Sequence, residues 1–137
     1  MQDKPLILVV DDDADFREAI QCLLEAGGYR VTCARNPQDA LGALSATKPD
    51  LIVTDLMMDR LDAGFQLSRG LKQNNDFAEI PVIIVTAVGS QLGLDVSPRG
   101  DDDMAAMNVD AYMDKPVDPD RFLAKVRELL ESRGREA

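Results

Sequence analysis

Acidic side chains directly follow two strongly apolar segments of the sequence. Residues 6–10 run into an acidic stretch that begins with Asp11 and Asp12, and residues 51–54 run into Asp55. Open α/β sheets bind ligands beyond the carboxyl ends of their strands, so these acids would share one pocket if the two segments formed neighbouring strands. Clustered carboxylates repel one another unless a cation neutralises them, and Mg²⁺ prefers such hard oxygen ligands. An aspartate held beside this metal can attack phosphorus and become an acyl phosphate.

Two further polar residues stand at the ends of other apolar segments. Thr86 ends the segment that begins at residue 82, and Lys115 follows the short segment 111–113. If both segments are parallel strands, the two side chains belong to the same edge of the sheet as the acids. A hydroxyl donor and a cation are the groups that a transferred phosphoryl group needs for its negative charge.

Each of these residues also has an ordinary structural interpretation. Asp11 and Asp12 could cap the helix that follows them, although one acid is enough for a cap and Asp13 is the better candidate. Lys115 could be a surface lysine, and Thr86 could be a strand-end threonine. A calcium-binding loop is rejected because the required glycine and the final acid are missing.

The composition limits the possible functions. The chain has 137 residues, 45% of them apolar, which predicts one domain. Its net charge of −10 predicts that it avoids nucleic acids and anionic membranes. It contains no histidine, so histidine triads, His-ligated zinc and phosphohistidine chemistry within this chain are excluded. The longest apolar runs reach about five residues, too few for a membrane span. Cys22 and Cys33 are expected to be buried, reduced thiols, which suits a cytoplasmic protein.

Apolar patterning predicts alternating strands and helices. The predicted strands cover residues 6–10, 31–34, 51–54, 82–85 and 111–113. Four helices are predicted. The first covers residues 14–26 and the third covers residues 65–74. The second is capped by Asn36 and has Ala40, Leu41 and Leu44 on its inner face, and the last begins at Asp118-Pro119.

This alternation predicts an α/β fold with a parallel sheet and right-handed crossovers. The three most apolar strands should be central and the weaker second and fifth strands should be edges. The resulting order, 2-1-3-4-5, is a flavodoxin-like, doubly wound arrangement with helices on both faces. We expect a single domain over residues 1–137, with a core from 5 to 131 and a polar, frayed tail at 132–137.

The sequence resembles the receiver domain of two-component response regulators, especially the single-domain, chemotaxis-regulator-like members. The resemblance extends from Leu6 to about Leu130. The motifs that carry it are Val10-Asp11-Asp12, Thr54-Asp55-Leu56-Met57-Met58, Thr86-Ala87 and Asp114-Lys115-Pro116-Val117.

The resemblance implies a phosphoacceptor switch rather than an enzyme with turnover. Asp55 would accept a phosphoryl group from a histidine kinase or phosphotransfer protein, and the switch would then act on a downstream protein. Mg²⁺ would be the cofactor. Asp12, Asp55 and the Met57 carbonyl would bind the metal directly, and Asp11 would bind it through water. Thr86 and Lys115 would contact the phosphoryl group. Tyr112 would be the switch aromatic. Met57 and Val88 are apolar and cannot orient an attacking water, so self-dephosphorylation should be slow.

Two departures from the family pattern keep alternatives open. Asp59 replaces the usual proline after the acceptor, and the segment 87–110 is longer than usual. A degenerate receiver, which binds a partner without being phosphorylated, is therefore the main alternative. A small Mg²⁺-dependent phosphatase is a third, although it lacks the second Asp, because Met57 stands at that position. Without an output domain, the chain is expected to be a stand-alone regulator, a relay module or a fragment, and a monomer or weak dimer.

Overall fold

The computed structural model describes residues 4–55, 70, 79–86, 110–114 and 117–136. The strands within these ranges are β1 (Leu6–Val10), β2 (Arg30–Ala34), β3 (Leu51–Thr54), β4 (Val82–Thr86) and β5 (Ala111–Asp114). The helices are α1 (Ala14–Ala26), α2 (Pro37–Ala46) and α3 (Pro119–Glu136). The predicted helix at 65–74 lies outside the described residues.

The strands form one parallel sheet in the order β2-β1-β3-β4-β5, which confirms the predicted topology. β1 and β3 are buried along their whole length, as central strands covered on both faces must be. The register pairs Val10 with both Ala34 and Thr54. Between β4 and β5, the register pairs Thr86 with Asp114. The strands therefore end level with one another at the edge where the acidic residues begin.

The helices cover opposite faces of this sheet. Alternate strand residues, among them Ile7, Val53 and Val85, pack against α1 and α3 in a cluster that includes the fully buried Phe122. α2 connects β2 to β3 and so runs back across β1. A right-handed crossover in that direction places α2 on the face opposite α1.

Side-chain caps begin the three helices that the described residues form. Asp13 Oδ1 accepts hydrogen bonds from the backbone N–H groups of Asp15 and Phe16, at 3.0 and 3.3 Å. Asn36 caps α2, and Asp118 caps α3. The assignment of Asp13 to a cap is therefore confirmed, and Asp13 is left out of the acidic pocket.

Two aspartates that the sequence analysis did not single out align the strands at their amino-terminal ends, opposite the acidic cluster. Asp50 precedes β3, and its Oδ2 accepts a hydrogen bond from the N–H of Leu6 at 2.8 Å, while its own N–H donates to the Leu6 carbonyl at 2.7 Å. Asp110 precedes β5 and makes the same pair of bonds to Val82, at 2.8 and 2.9 Å. These bonds fix where neighbouring strands start, and hence where they end.

Several predictions about exposure were wrong. Leu41 was placed on the inner face of α2, but it is 54% exposed, whereas Ala40 and Leu44 are buried. At 3.6 residues per turn, Leu41 is rotated about 100° from Ala40, which turns it away from the two buried side chains. Cys22 and Cys33 were expected to be buried, but both are exposed. Cys22 lies midway between the buried residues Ile20 and Leu24 of α1, which places it on the outer side of the helix. Cys33 lies on the edge strand β2.

The element boundaries differ from the predicted ones by small amounts. β2 begins one residue earlier, at Arg30, and β4 and β5 each extend one residue further, to Thr86 and Asp114. α3 continues to Glu136, through most of the segment that the sequence analysis treated as a frayed tail. No helix in the part of the chain that the structure describes is long and apolar enough to cross a membrane.

Candidate functional site

The backbone continues the sheet ladder for one residue beyond β1 and β3. The N–H of Asp11 donates to the Ala34 carbonyl at 3.1 Å, and the N–H of Asp55 donates to the Val10 carbonyl at 2.9 Å. Both aspartates are thus held by the strands rather than by a free loop. Because β1 and β3 are adjacent and level, the two carboxylates meet at the same edge of the sheet.

Asp11, Asp12 and Asp55 form one carboxylate cluster. One oxygen from each residue lies within 4.8 Å of an oxygen from each of the others. Asp11 is 1% exposed and Asp55 is 7% exposed, whereas Asp12 faces the solvent. Three carboxylates this close together repel one another, and a hard divalent cation is the partner that relieves the repulsion. Oxygen donors with one open side fit Mg²⁺, which keeps waters that a phosphoryl oxygen can replace.

Local hydrogen bonds fix the loop that carries Asp11 and Asp12. Asp11 Oδ1 accepts a hydrogen bond from the N–H of Asp13 at 2.9 Å, which orients the Asp11 carboxylate within the cluster. The Asp11 carbonyl accepts a hydrogen bond from Nη1 of Arg17 at 2.6 Å. The sequence analysis missed Arg17, although its place one helical turn after the cap at Asp13 is a usable signal.

A second missed contact lies beside Asp55. The hydroxyl of Thr54, which is 1% exposed, donates to the Asp55 carbonyl at 3.1 Å. The buried hydroxyl is thereby satisfied within the chain segment that carries the Asp55 carboxylate.

The structure describes the remaining predicted residues in part. The backbone of Thr86 ends β4 at the edge where the acids lie. Tyr112 is half-buried on β5, in register with Ile84 of β4. Met57 and Lys115 lie outside the described residues, as do Asp59 and most of the long segment after Thr86. The structure therefore brings together three of the predicted site residues, and the predicted roles of the others stay predictions.

A comparison with protein families supplies the deciding observation. The model of the family described as "Response regulator receiver domain" matches residues 7–127. The chain belongs to this family. The resemblance that the strand-end motifs carried is thus confirmed, and the match includes every residue of the acidic cluster.

Curated relatives of this receiver domain are response regulators. It is 35% identical over 128 residues to the phosphate regulon transcriptional regulatory protein PhoB of Pseudomonas aeruginosa, covering 93% of this chain and 52% of the relative. It is 37% identical over 126 residues to the response regulator MprA of Mycolicibacterium vanbaalenii, covering 90% and 49%. The chain spans about half the length of the curated relatives it matches.

Solved structures agree with the fold. The signal receiver domain of a signal transduction histidine kinase from Syntrophus aciditrophicus superposes with a TM-score of 0.76 at 30% identity, covering 93% of this chain and 91% of that one. A CheY-like receiver domain protein from Methanospirillum hungatei superposes with a TM-score of 0.81 at 24% identity, covering 98% and 100%. Both share the parallel sheet described above.

Proposed function

We propose that this receiver domain accepts a phosphoryl group on Asp55 and uses it to switch a partner-binding surface. The observation that carries the proposal is the convergence of Asp11, Asp12 and Asp55 within 4.8 Å, at the edge where the two central strands end. Asp55 is nearly buried but adjoins the exposed Asp12, so a donor can approach the pocket from the Asp12 side.

Asp12 and Asp55 would hold Mg²⁺ directly, Asp11 would help through water, and the carbonyl of Met57, which lies outside the described residues, would complete the protein ligands. When bound, Mg²⁺ supplies positive charge that lets a carboxylate and a phosphoryl group approach each other. The hydrogen bond from Asp13 N–H to Asp11 Oδ1 orients Asp11 for this role.

The transfer itself needs little covalent chemistry from the protein. A carboxylate oxygen of Asp55 forms a bond to phosphorus while the phosphorus–nitrogen bond of a phosphohistidine breaks, and the imidazole nitrogen of the donor keeps the electron pair. Thr86 would then donate its hydroxyl to a phosphoryl oxygen, and Lys115 would pair with the new charge. Movement of these residues, together with Tyr112, would pass the change to the surface around β5 and α3.

The phosphohistidine that donates the group lies outside residues 1–137, because this sequence contains no histidine. We therefore propose a histidine kinase or a phosphotransfer protein as donor and a separate protein as target, with the exchange taking place in the cytoplasm. Release of the phosphoryl group should be slow without a phosphatase, because the apolar side chains of Met57 and Val88 cannot orient a water for attack.

Intact-mass spectrometry tests this function directly. The protein is incubated with Mg²⁺ and a small phosphodonor such as acetyl phosphate. We expect one phosphoryl adduct that requires Mg²⁺ and is absent in Asp55→Asn. Asp13→Asn is the matched control, because Asn caps a helix as well as Asp does and Asp13 lies outside the cluster, so it should be phosphorylated normally.

The same experiment separates the alternatives. A chain that binds Mg²⁺ but gains no adduct from the small donor or from phosphorylated kinases would be a degenerate receiver that acts by binding alone. Continuous release of phosphate over many turnovers would instead indicate a phosphatase. A single adduct with a lifetime of hours, shortened by Met57→Asn, fits the proposed switch.

A further inference from the structure

A half-buried arginine of α1 holds the backbone of the acidic loop. Nη1 of Arg17 donates a hydrogen bond to the Asp11 carbonyl at 2.6 Å, and the N–H of Arg17 donates to the Asp13 carbonyl at 3.0 Å. One residue therefore contacts the loop on both sides of Asp12. Arg17 takes no part in the proposed phosphoryl transfer, so these contacts have another consequence.

The contact at the Asp11 carbonyl controls the orientation of Asp12. A peptide group is planar, so a fixed carbonyl oxygen also fixes the N–H of the next residue in the same plane. The hydrogen bond from Arg17 thereby limits rotation of the peptide between Asp11 and Asp12, and with it the direction in which the Asp12 side chain leaves the backbone. Asp12 is the exposed member of the carboxylate cluster, so packing restrains it less than it restrains Asp11 or Asp55.

Other hydrogen bonds of the loop hold the neighbours of Asp12. The N–H of Asp11 donates to the Ala34 carbonyl at 3.1 Å, and Asp11 Oδ1 accepts from the N–H of Asp13 at 2.9 Å. These bonds set the position of the residues before and after Asp12. The bond from Arg17 acts directly on the peptide group that joins Asp11 to Asp12.

We propose that Arg17 is a positioning residue of the Mg²⁺ site and sets both the affinity of the site and its preference for Mg²⁺ over Ca²⁺. The inference rests on the proposed function, because it takes the carboxylate cluster as the place where the ion binds. Mg²⁺ requires short bonds in a nearly ideal octahedron, whereas Ca²⁺ accepts longer bonds and variable geometry. A carboxylate held in one direction therefore favours Mg²⁺, and a carboxylate that can turn favours it less.

The positive charge of Arg17 acts in the opposite direction. A guanidinium beside the loop repels a divalent cation, so loss of the charge alone would tighten the binding of Mg²⁺ and Ca²⁺ alike. Loss of the positioning contact would weaken the binding of Mg²⁺ more than the binding of Ca²⁺. A lower global stability changes neither dissociation constant while the protein stays folded. The ratio of the two dissociation constants therefore reports on the positioning contact.

Titrations with MgCl₂ and CaCl₂, followed by ¹⁵N NMR at the amides of Asp13 and Asp55, measure both dissociation constants. Arg17→Met should weaken Mg²⁺ binding about tenfold and Ca²⁺ binding about twofold, so that the preference for Mg²⁺ falls about fivefold. Arg17→Lys keeps a charged donor and should return both constants to within about threefold of the wild-type values. The same spectra show that each variant is folded.

Arg30→Met is the matched control. Nε of Arg30 also donates to a backbone carbonyl, that of Lys4 at 2.9 Å, but it does so at the amino-terminal ends of the strands. The variant removes the same charge and the same kind of contact away from the cluster. Both dissociation constants should therefore stay within about twofold of the wild-type values.

The outcomes separate this inference from the proposed function. A wild type that does not bind Mg²⁺ at the cluster overturns both. If the wild type binds Mg²⁺ and Arg17→Met binds both ions equally well or more tightly, the inference alone is wrong, because Arg17 then has no effect or acts only through its charge. Equal weakening for both ions also contradicts the inference, as does a loss of preference in Arg30→Met as large as that in Arg17→Met.

Discussion

Nη1 of Arg17 lies 2.6 Å from the carbonyl oxygen of Asp11, six residues earlier in the chain, and donates a hydrogen bond to it. Asp11 is the first residue after β1, and Arg17 is the fourth residue of α1. The contact therefore ties the helix to the backbone between Asp11 and Asp12. We conclude that α1 helps to fix the backbone that carries Asp11 and Asp12.

Loss of this contact should lower the stability of the metal-free protein. Arg17→Met keeps much of the aliphatic length but removes the charged donor from a part-buried carbonyl, and should reduce the free energy of unfolding by about 1–2 kcal/mol. Urea unfolding in EDTA measures the change. Arg17→Lys, which can still donate, should recover part of it.

Arg35→Met is the control for Arg17. Arg35 makes an exposed i, i+4 ion pair with Asp39 at 3.2 Å, and removing such a pair should cost at most about 0.5 kcal/mol. Equal losses in the two variants would mean that the Arg17 contact is no more than a surface interaction.

The carboxylate cluster should cost stability when no cation is bound. Asp12→Asn removes one exposed charge from a group whose oxygens lie within 4.8 Å of one another, and should stabilise the metal-free protein by about 0.5–1 kcal/mol. The wild type should gain about 1 kcal/mol in millimolar Mg²⁺, and the variant should lose most of that gain. Thermal unfolding with and without Mg²⁺ tests both parts.

The matched control for Asp12→Asn is Glu18→Gln, which removes an exposed acid of α1 outside the cluster. It should keep the full response to Mg²⁺. If Mg²⁺ stabilises Asp12→Asn as strongly as the wild type, the ion binds elsewhere.

The sequence predicted those features that depend on local pattern or on a periodic apolar run. Asp13 and Asn36 were predictable as caps because a cap acts within three residues. The apolar runs at 6–10 and 51–54 predicted central strands. Together they implied the meeting of Asp11 and Asp55, because the ends of adjacent parallel strands lie together.

The misses concern contacts that no local pattern encodes. The exposure of Leu41 depends on how much of α2 the sheet reaches, and periodicity does not give the width of that contact. The hydrogen bond that the N–H of Leu6 donates to the carboxylate of Asp50 joins residues 44 positions apart. The side chain of Arg17 could have pointed to solvent without any change in the pattern of α1. Such features are set by tertiary geometry, and they became visible only with the fold.

Two glycines in different backbone conformations should respond oppositely to alanine. Gly28 has φ of 95° in the turn after α1, and no atom lies within 4 Å of a Cβ built there, so Gly28→Ala should cost about 1 kcal/mol through backbone strain alone. Gly42 lies within α2 with equal space around it, so Gly42→Ala should gain about 0.5–1 kcal/mol from helix propensity. Chemical denaturation compares them, and a shared sign would contradict the assigned conformations.

The thiol of Cys33 lies in a mixed environment beside α1. Its Sγ atom is 3.8 Å from Oε1 of Gln21. Although Cys33 is exposed as a residue, partial burial of the thiol raises its pKa above the ordinary value of 9.0. The positive charge of Arg17 opposes this rise in pKa, and the negative charge of Glu25 adds to it.

Alkylation kinetics should reveal these opposing charges. In a Cys22→Ser background, the rate of reaction with iodoacetamide follows the thiolate fraction of Cys33, so its inflection should lie at higher pH in the folded protein than in urea. Arg17→Met removes a charge that favours the thiolate and should move the inflection further up in pH. Glu25→Gln removes a charge that disfavours the thiolate and should move the inflection down. Shifts in the same direction for both variants would show that altered packing, not charge, sets the reactivity of Cys33.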